Sequence, residues 1–237
     1  WPSVVRWYAK SSGTTNDKSK FLPVTPEILK GCHYKGGFDC VAIYLRNNPE
    51  SRFFSKKGLI LGGSHSPSPL NSEAHQGDLS AVLLQNLNPL VNLIRVPKKP
   101  IILMDEWESK IKAIVENTWN KDVNSLSGVP SWMLVLIKAV LKKTGREYLT
   151  DVWPNLEVFF HGGISFEPYR EQYKTLIPSN KMHYMETYNA SEGFFGLQDD
   201  PTDPSLLMMP DYGIFYEFIP MSEVGSAHPT VLPLESV

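Results

Sequence analysis

The chain has 237 residues, with 23 basic and 25 acidic side chains and a formal charge of -2. That length is enough to bury a sizeable core in one large domain or two modest ones, and a single mixed α/β body is expected. The near balance of charge argues against a nucleic-acid or anionic-membrane partner, and no run approaches the roughly 18 to 20 apolar residues of a bilayer span.

Cys32 and Cys40 are the only cysteines. Their spacing gives neither a disulfide framework nor a metal knuckle, and with no secretory leader in view the expectation is reduced thiols in the cytoplasm. The abrupt start at Trp1-Pro2 and the end at Glu235-Ser236-Val237 read as the limits of a fragment.

The apolar run Val4 to Ala9 leads into Ser11-Ser12-Gly13-Thr14-Thr15-Asn16-Asp17-Lys18-Ser19-Lys20. Small hydroxyl donors, flexible backbone N-H groups and positive charge in one turn suit a polyphosphate. The loop is not of the Walker type, and on composition alone an ordinary turn is the commoner reading of such a cluster. Thr25-Pro26-Glu27 opens a helix that Gly31 and Gly36-Gly37 are expected to interrupt. A second helical stretch then runs to about Leu45.

Gly58 to Gly63 reads as a short buried strand. Trp107, Ile111, Ile114, Val115 and Trp119 form one helical stripe, with Glu106/Lys110 and Glu108/Lys112 as supporting i, i+4 pairs. A further helix spans Ser131 to about Gly145, apolar on every face from Trp132 to Ile137, so it is buried or lines a cavity. Leu156 to Phe160 and Met182 to Tyr188 read as strands that hand over to the loops His161-Gly162-Gly163 and Asn189 to Gly193, with a short helix from Tyr169 to Leu176 between them. This order implies an α/β fold of mixed, largely parallel sheets flanked by helices, with ligands beyond the strands' carboxyl ends. Tyr212 to Pro220 reads as a final β-rich run.

Three segments in order carry a resemblance: the loop from Ser11 to Lys20, then Tyr188-x-x-Ser191-Glu192-Gly193-x-x-Gly196, then Met209-Pro210 leading into Phe215 to Pro220. Together they resemble the Gretchen Hagen family of acyl-acid amido synthetases, within the adenylate-forming ligases. The resemblance implies activation of a small carboxylic acid by ATP and Mg²⁺ to an acyl-adenylate, followed by attack of an amino acid to form an amide.

On that reading Ser11, Ser12, Gly13, Thr14 and Thr15 hold the phosphates, Lys20 adds charge, and Glu192 holds Mg²⁺. Gly162 and Gly163 let the backbone approach the adenine, Tyr188 stacks against it, and Ser191 belongs to the nucleotide site. Cys32, Phe38, Trp132 and Met133 fall where the family builds its acyl pocket. The chain as a whole then corresponds to an incomplete large N-terminal domain, without the mobile C-terminal domain and the third nucleotide motif.

Two positions depart from the family pattern. Asp17 stands where plant members carry glycine, and Asn189 replaces the small residue usual after the tyrosine. A thioester ligase sharing the first half-reaction and a non-catalytic binding module are the competing readings.

Overall fold

A computed structural model describes residues 4–11, 20–68 and 73–237. Its centre is a seven-stranded sheet. The strands are β3 (Lys57–Ile60), β6 (Arg95–Val96), β7 (Val123–Gly128), β8 (Val158–Gly162), β9 (His183–Ala190), β10 (Gly193–Leu197) and β11 (Leu207–Met208), in the spatial order β6-β3-β7-β8-β9-β10-β11. The pairs from β6 to β9 are parallel, and β10 and β11 turn back antiparallel. From β3 the chain goes outward to β6 and then returns to β7 on the other side. The order therefore reverses between β3 and β7, the place where an open α/β sheet leaves a crevice.

A smaller sheet has the order β2-β1-β5-β4, from β1 (Trp7–Ser11), β2 (Lys20–Val24), β4 (His65–Pro67) and β5 (His75–Gly77). Its β1 and β2 form an antiparallel hairpin in which Ser11 faces Lys20, while β1 and β5 run parallel. The pair β12 (Glu217–Phe218) and β13 (Leu232–Pro233) stands apart. Most of the aromatic run from Tyr212 to Pro220 thus lies outside any strand, a correction to its β-rich appearance.

Alternation along β8 explains why helices cover both faces. Phe159 joins Leu59, Leu126, Ile114, Leu136, Ile137, Trp153 and Tyr173 in the larger core, against α5 (Trp107–Thr118), α6 (Pro130–Thr144), α7 (Leu149–Val152) and α8 (Arg170–Leu176). Val158 and Phe160 point the other way, toward Tyr44, Cys40 and Phe194 beneath α2 (Lys35–Asn47). Each fully buried large side chain contributes about 1.5 to 3 kcal/mol. The short α3 (Leu79–Asn86) covers the small sheet through Val82 against Ala9 and Val24, and α4 (Lys99–Ile102) leads into α5.

Local chemistry accounts for the helix ends. Pro130 opens α6, and Gly145 closes it in the left-handed region at φ 65°. Thr25 caps α1 (Pro26–Ile28), its hydroxyl accepting from the Ile28 N-H at 3.3 Å.

Beyond α1 the glycines do not interrupt the helix as their composition suggests. The chain widens into one π-type segment, Leu29–Tyr34, and continues directly as α2. Gly36 serves packing instead: a Cβ there would overlap the Phe194 ring. The Glu106/Lys110 pair is also absent. Glu106 caps α5 by accepting from the Glu108 and Ser109 N-H groups, and Lys110 is buried. Among the described residues, no helix is long and apolar enough to cross a membrane.

Candidate active site

The carboxyl ends of β7, β8 and β9 open into a cleft of about 630 Å³. Val129 and Trp132 enter from the start of α6, Leu79 and Leu83 from α3, Gly163 and Ile164 from the loop after β8, and Lys10 and Ser11 from β1. The segment from Glu186 to Glu192 forms the remaining wall. Much of this wall is apolar, and the polar groups come mainly from β9, β1 and the start of α3.

The Tyr188-to-Gly193 motif is a tight hairpin rather than a strand followed by a loop. β9 continues to Ala190, Ser191 and Glu192 make the turn, and Gly193 starts β10. Glu192 is therefore exposed at the hairpin tip, with no ion pair or hydrogen bond to another described residue. The Ser191 hydroxyl donates to the Lys10 carbonyl at 3.3 Å, which ties the large sheet to the small one at the cleft. Tyr188 is 57% exposed, its ring 5.0 Å from that of Phe195.

Ser11, Gly163, Trp132, Tyr188, Ser191 and Glu192, spread over most of the sequence, thus meet in one cleft. Ser12, Gly13, Thr14, Thr15 and Asp17 lie outside the described residues. Lys20 stands opposite Ser11 at the base of the hairpin and does not line the cleft. Gly162 sits just behind it, where a Cβ would overlap the Thr187 carbonyl. Gly163 adopts φ +82°.

Three of the four acyl-pocket positions are elsewhere. Cys32 is buried and its Sγ accepts the Phe194 N-H at 3.1 Å, which with the burial that pushes its thiol pKa up makes it a structural thiol. Met133 points into the core between α6 and the sheet, and Phe38 is 73% exposed on the outer face of α2. Met133 belongs to a helix that lines the cleft but to a face turned away from it, whereas the elements of Cys32 and Phe38 contribute no residue to the lining.

Sequence reasoning missed several polar groups. Lys110 donates from the core to the Gly62 and Gly63 carbonyls at 3.0 and 3.1 Å, holding the loop that follows β3. Burial lowers its pKa, against opposition from Asp78 and Asp105. Asp78, at the cleft, accepts the Ser64 N-H at 3.1 Å, and the Ser80 hydroxyl accepts that of Gly63 at 2.9 Å. A lysine flanked by acids at helical spacing reads as a surface pair, so only its place on the apolar stripe side of α5 hinted at burial.

An adjoining cleft of about 610 Å³ shares Ser165, Glu186 and Leu206 with the first. His161 stacks on Phe166 there at 4.2 Å, and Arg170 lies over the same ring at 5.1 Å. Burial, reinforced by Arg170, holds the His161 imidazole down to about 3. Burial also raises the Glu186 carboxyl.

A sheet of this order, covered on both faces and open at its carboxyl ends, has the architecture expected from the order of strands and helices in the sequence, α/β with mixed, largely parallel sheets flanked by helices. The similarity to solved structures bears this out: an acyl acid amido synthetase designated GH3.15 superposes with a TM-score of 0.67 at 17% identity, over 98% of this chain and 48% of that one. The same enzyme in complex with 2,4-DB gives a TM-score of 0.71 at 15% identity, over 98% and 49%. The chain therefore spans about half the length of these relatives. The family model described as the GH3 family N-terminal domain matches residues 1–182, and the chain belongs to that family. Among curated protein sequences none matches.

Proposed function

We propose that the chain is part of the ATP- and acid-binding domain of an acyl acid amido synthetase, which activates a carboxylic acid as its acyl-adenylate and passes the acyl group to an amino acid. The observation that carries this reading is the meeting of Ser11, Tyr188, Ser191 and Glu192 in one cleft at the carboxyl ends of a parallel sheet. The relatives of known structure are named as acyl acid amido synthetases, which agrees with it.

In the first step the acid's carboxylate attacks the α-phosphorus of ATP and pyrophosphate leaves. Two anions must approach, so the rate depends on groups already aimed at the developing charge. Ser11 supplies a hydroxyl and Lys10 positive charge at the cleft, and the sequence that follows, Ser12 to Thr15, is rich in hydroxyl and backbone N-H donors. Tyr188 offers an exposed ring for the base. The apolar start of α6 and of α3 takes the acyl chain, with Trp132 the member of the expected pocket set that lines it.

The donor set fits Mg²⁺: the free Glu192 carboxylate is one hard oxygen ligand, and phosphate and water would complete the shell. Among the described residues no cluster of three or more potential ligands forms a site independent of nucleotide. The ion would neutralise charge on the leaving phosphates.

Incubation of the full-length protein with ATP, Mg²⁺, mixed carboxylic acids, mixed amino acids and coenzyme A tests the amide step. The expected product, read by mass spectrometry, is an N-acyl amino acid formed with AMP. Formation of a thioester with coenzyme A, and of no amide, would refute it.

A further inference from the structure

The π-type segment Leu29–Tyr34 sends two consecutive side chains to two walls of the cleft. Tyr34 donates its hydroxyl to the Leu83 carbonyl at 3.0 Å on α3, and His33 Nδ1 lies 2.8 Å from Asn189 Oδ1 on β9. Leu83 and Asn189 both line the cleft. A widened helical turn of this kind is frequent at functional sites.

His33 is only 2% exposed, and its Nε2 is buried with no partner. This decides how the pair is arranged. If Nδ1 carries the proton it donates to Asn189 Oδ1, and the buried Nε2 is an unused lone pair. The reverse tautomer would bury an N-H donor without an acceptor, the costlier defect. Burial lowers the imidazole pKa, in keeping with a neutral ring. The amide oxygen of Asn189 is thereby occupied and its NH₂ is left over, with no partner among the described residues.

Asn189 lines the cleft together with Leu79, Leu83, Val129 and Trp132. An oriented polar group among apolar neighbours is how a pocket selects for a matching polar atom on its ligand. We propose that His33 is a positioning residue that fixes Asn189 as a hydrogen-bond donor in the acyl pocket, so that the enzyme prefers carboxylic acids bearing an acceptor oxygen along the acyl chain over plain hydrocarbon acids. The proposal rests on the reading of the cleft as an acid-activating site. It gives Asn189, the departure from the small residue usual at this position, a specific task.

The test uses the full-length protein and pyrophosphate release with heptanoate and with oxo-heptanoates whose carbonyl is moved along the chain. At least one oxo acid is expected to be preferred by about tenfold in kcat/KM. Asn189→Ala abolishes that preference by raising KM for the oxo acid more than for heptanoate. His33→Asn, whose amide nitrogen replaces Nδ1, keeps the preference, whereas His33→Gln and His33→Leu lose it.

No preference in the wild type, or an equal effect of Asn189→Ala on both acids, overturns the proposal. If no acid releases pyrophosphate, the activity reading fails by itself and the inference is decided by NMR on the unmodified protein. A shift of the Asn189 side-chain amide with an oxo acid and not with heptanoate supports it, and no selective shift overturns it. The same spectra decide the case if the His33 variants do not fold.

Discussion

His161 shows how burial turns a titratable side chain into a stability term. Its pKa is held at about 3, against an ordinary 6.5, so between those values the unfolded chain binds a proton that the folded one refuses. This contribution is fully present above pH 6.5 and is lost progressively as pH falls toward 3. Urea denaturation across that range is expected to give a shallower loss of stability for His161→Phe than for the wild type. A parallel pH dependence would show that the imidazole is not desolvated.

Lys110 works in the opposite sense, as a charge kept inside because two carbonyls receive it. Lys110→Met fills the same volume but leaves the Gly62 and Gly63 carbonyls unpaired, at a cost of about 1 to 3 kcal/mol. An unchanged denaturation midpoint would mean that water reaches those carbonyls.

Among the elements, glycines with identical side chains do different work. Gly145 closes α6 in open space at φ 65°, so Gly145→Ala suffers only left-handed strain, about 1 to 2 kcal/mol. Gly36 lies inside a helix, where alanine would ordinarily gain about 1 kcal/mol. The Phe194 ring reverses the sign, and Gly36→Ala is expected to destabilise by about 1 to 3 kcal/mol. Adding Phe194→Leu to Gly36→Ala should relieve part of that loss; strict additivity in thermal unfolding would contradict the contact.

These elements also mark what was legible in advance. α6 could be read almost to the residue because Pro130 and Gly145 act locally. The hairpin of β9 and β10 looks like a loop in the sequence because its turn residues, Ser191 and Glu192, are followed by a glycine that pairs in a strand. The small sheet was not legible, since β4 and β5 are three residues each and acquire their pairing only from distant partners. Ser11, Gly163, Tyr188, Ser191 and Glu192, which stand out on local motifs, line the cleft, whereas the contacts of Asp78, Lys110 and His33 are with residues distant in sequence. Met133 lies on α6 beside the cleft-lining Trp132 but turns into the core, and Cys32 and Phe38 belong to elements that contribute no side chain to the cleft lining.

At the scale of the whole molecule, the arrangement is a sheet with two packed faces whose carboxyl ends, together with the β1–β2 hairpin, enclose one cleft. The helices supply rigidity, and β9 with its hairpin turn, β1 and the start of α3 supply most of the polar groups. Acid activation requires both, because donors must already be oriented when the phosphate charge shifts. The most direct measurement is acid-dependent pyrophosphate release from ATP by the full-length protein, compared with its Glu192→Ala variant. Release is expected to need a carboxylic acid and to fall by at least about a hundredfold in the variant, in line with removal of a group that stabilises transferring phosphate charge. Full activity in Glu192→Ala, or release that does not depend on any acid, would contradict it.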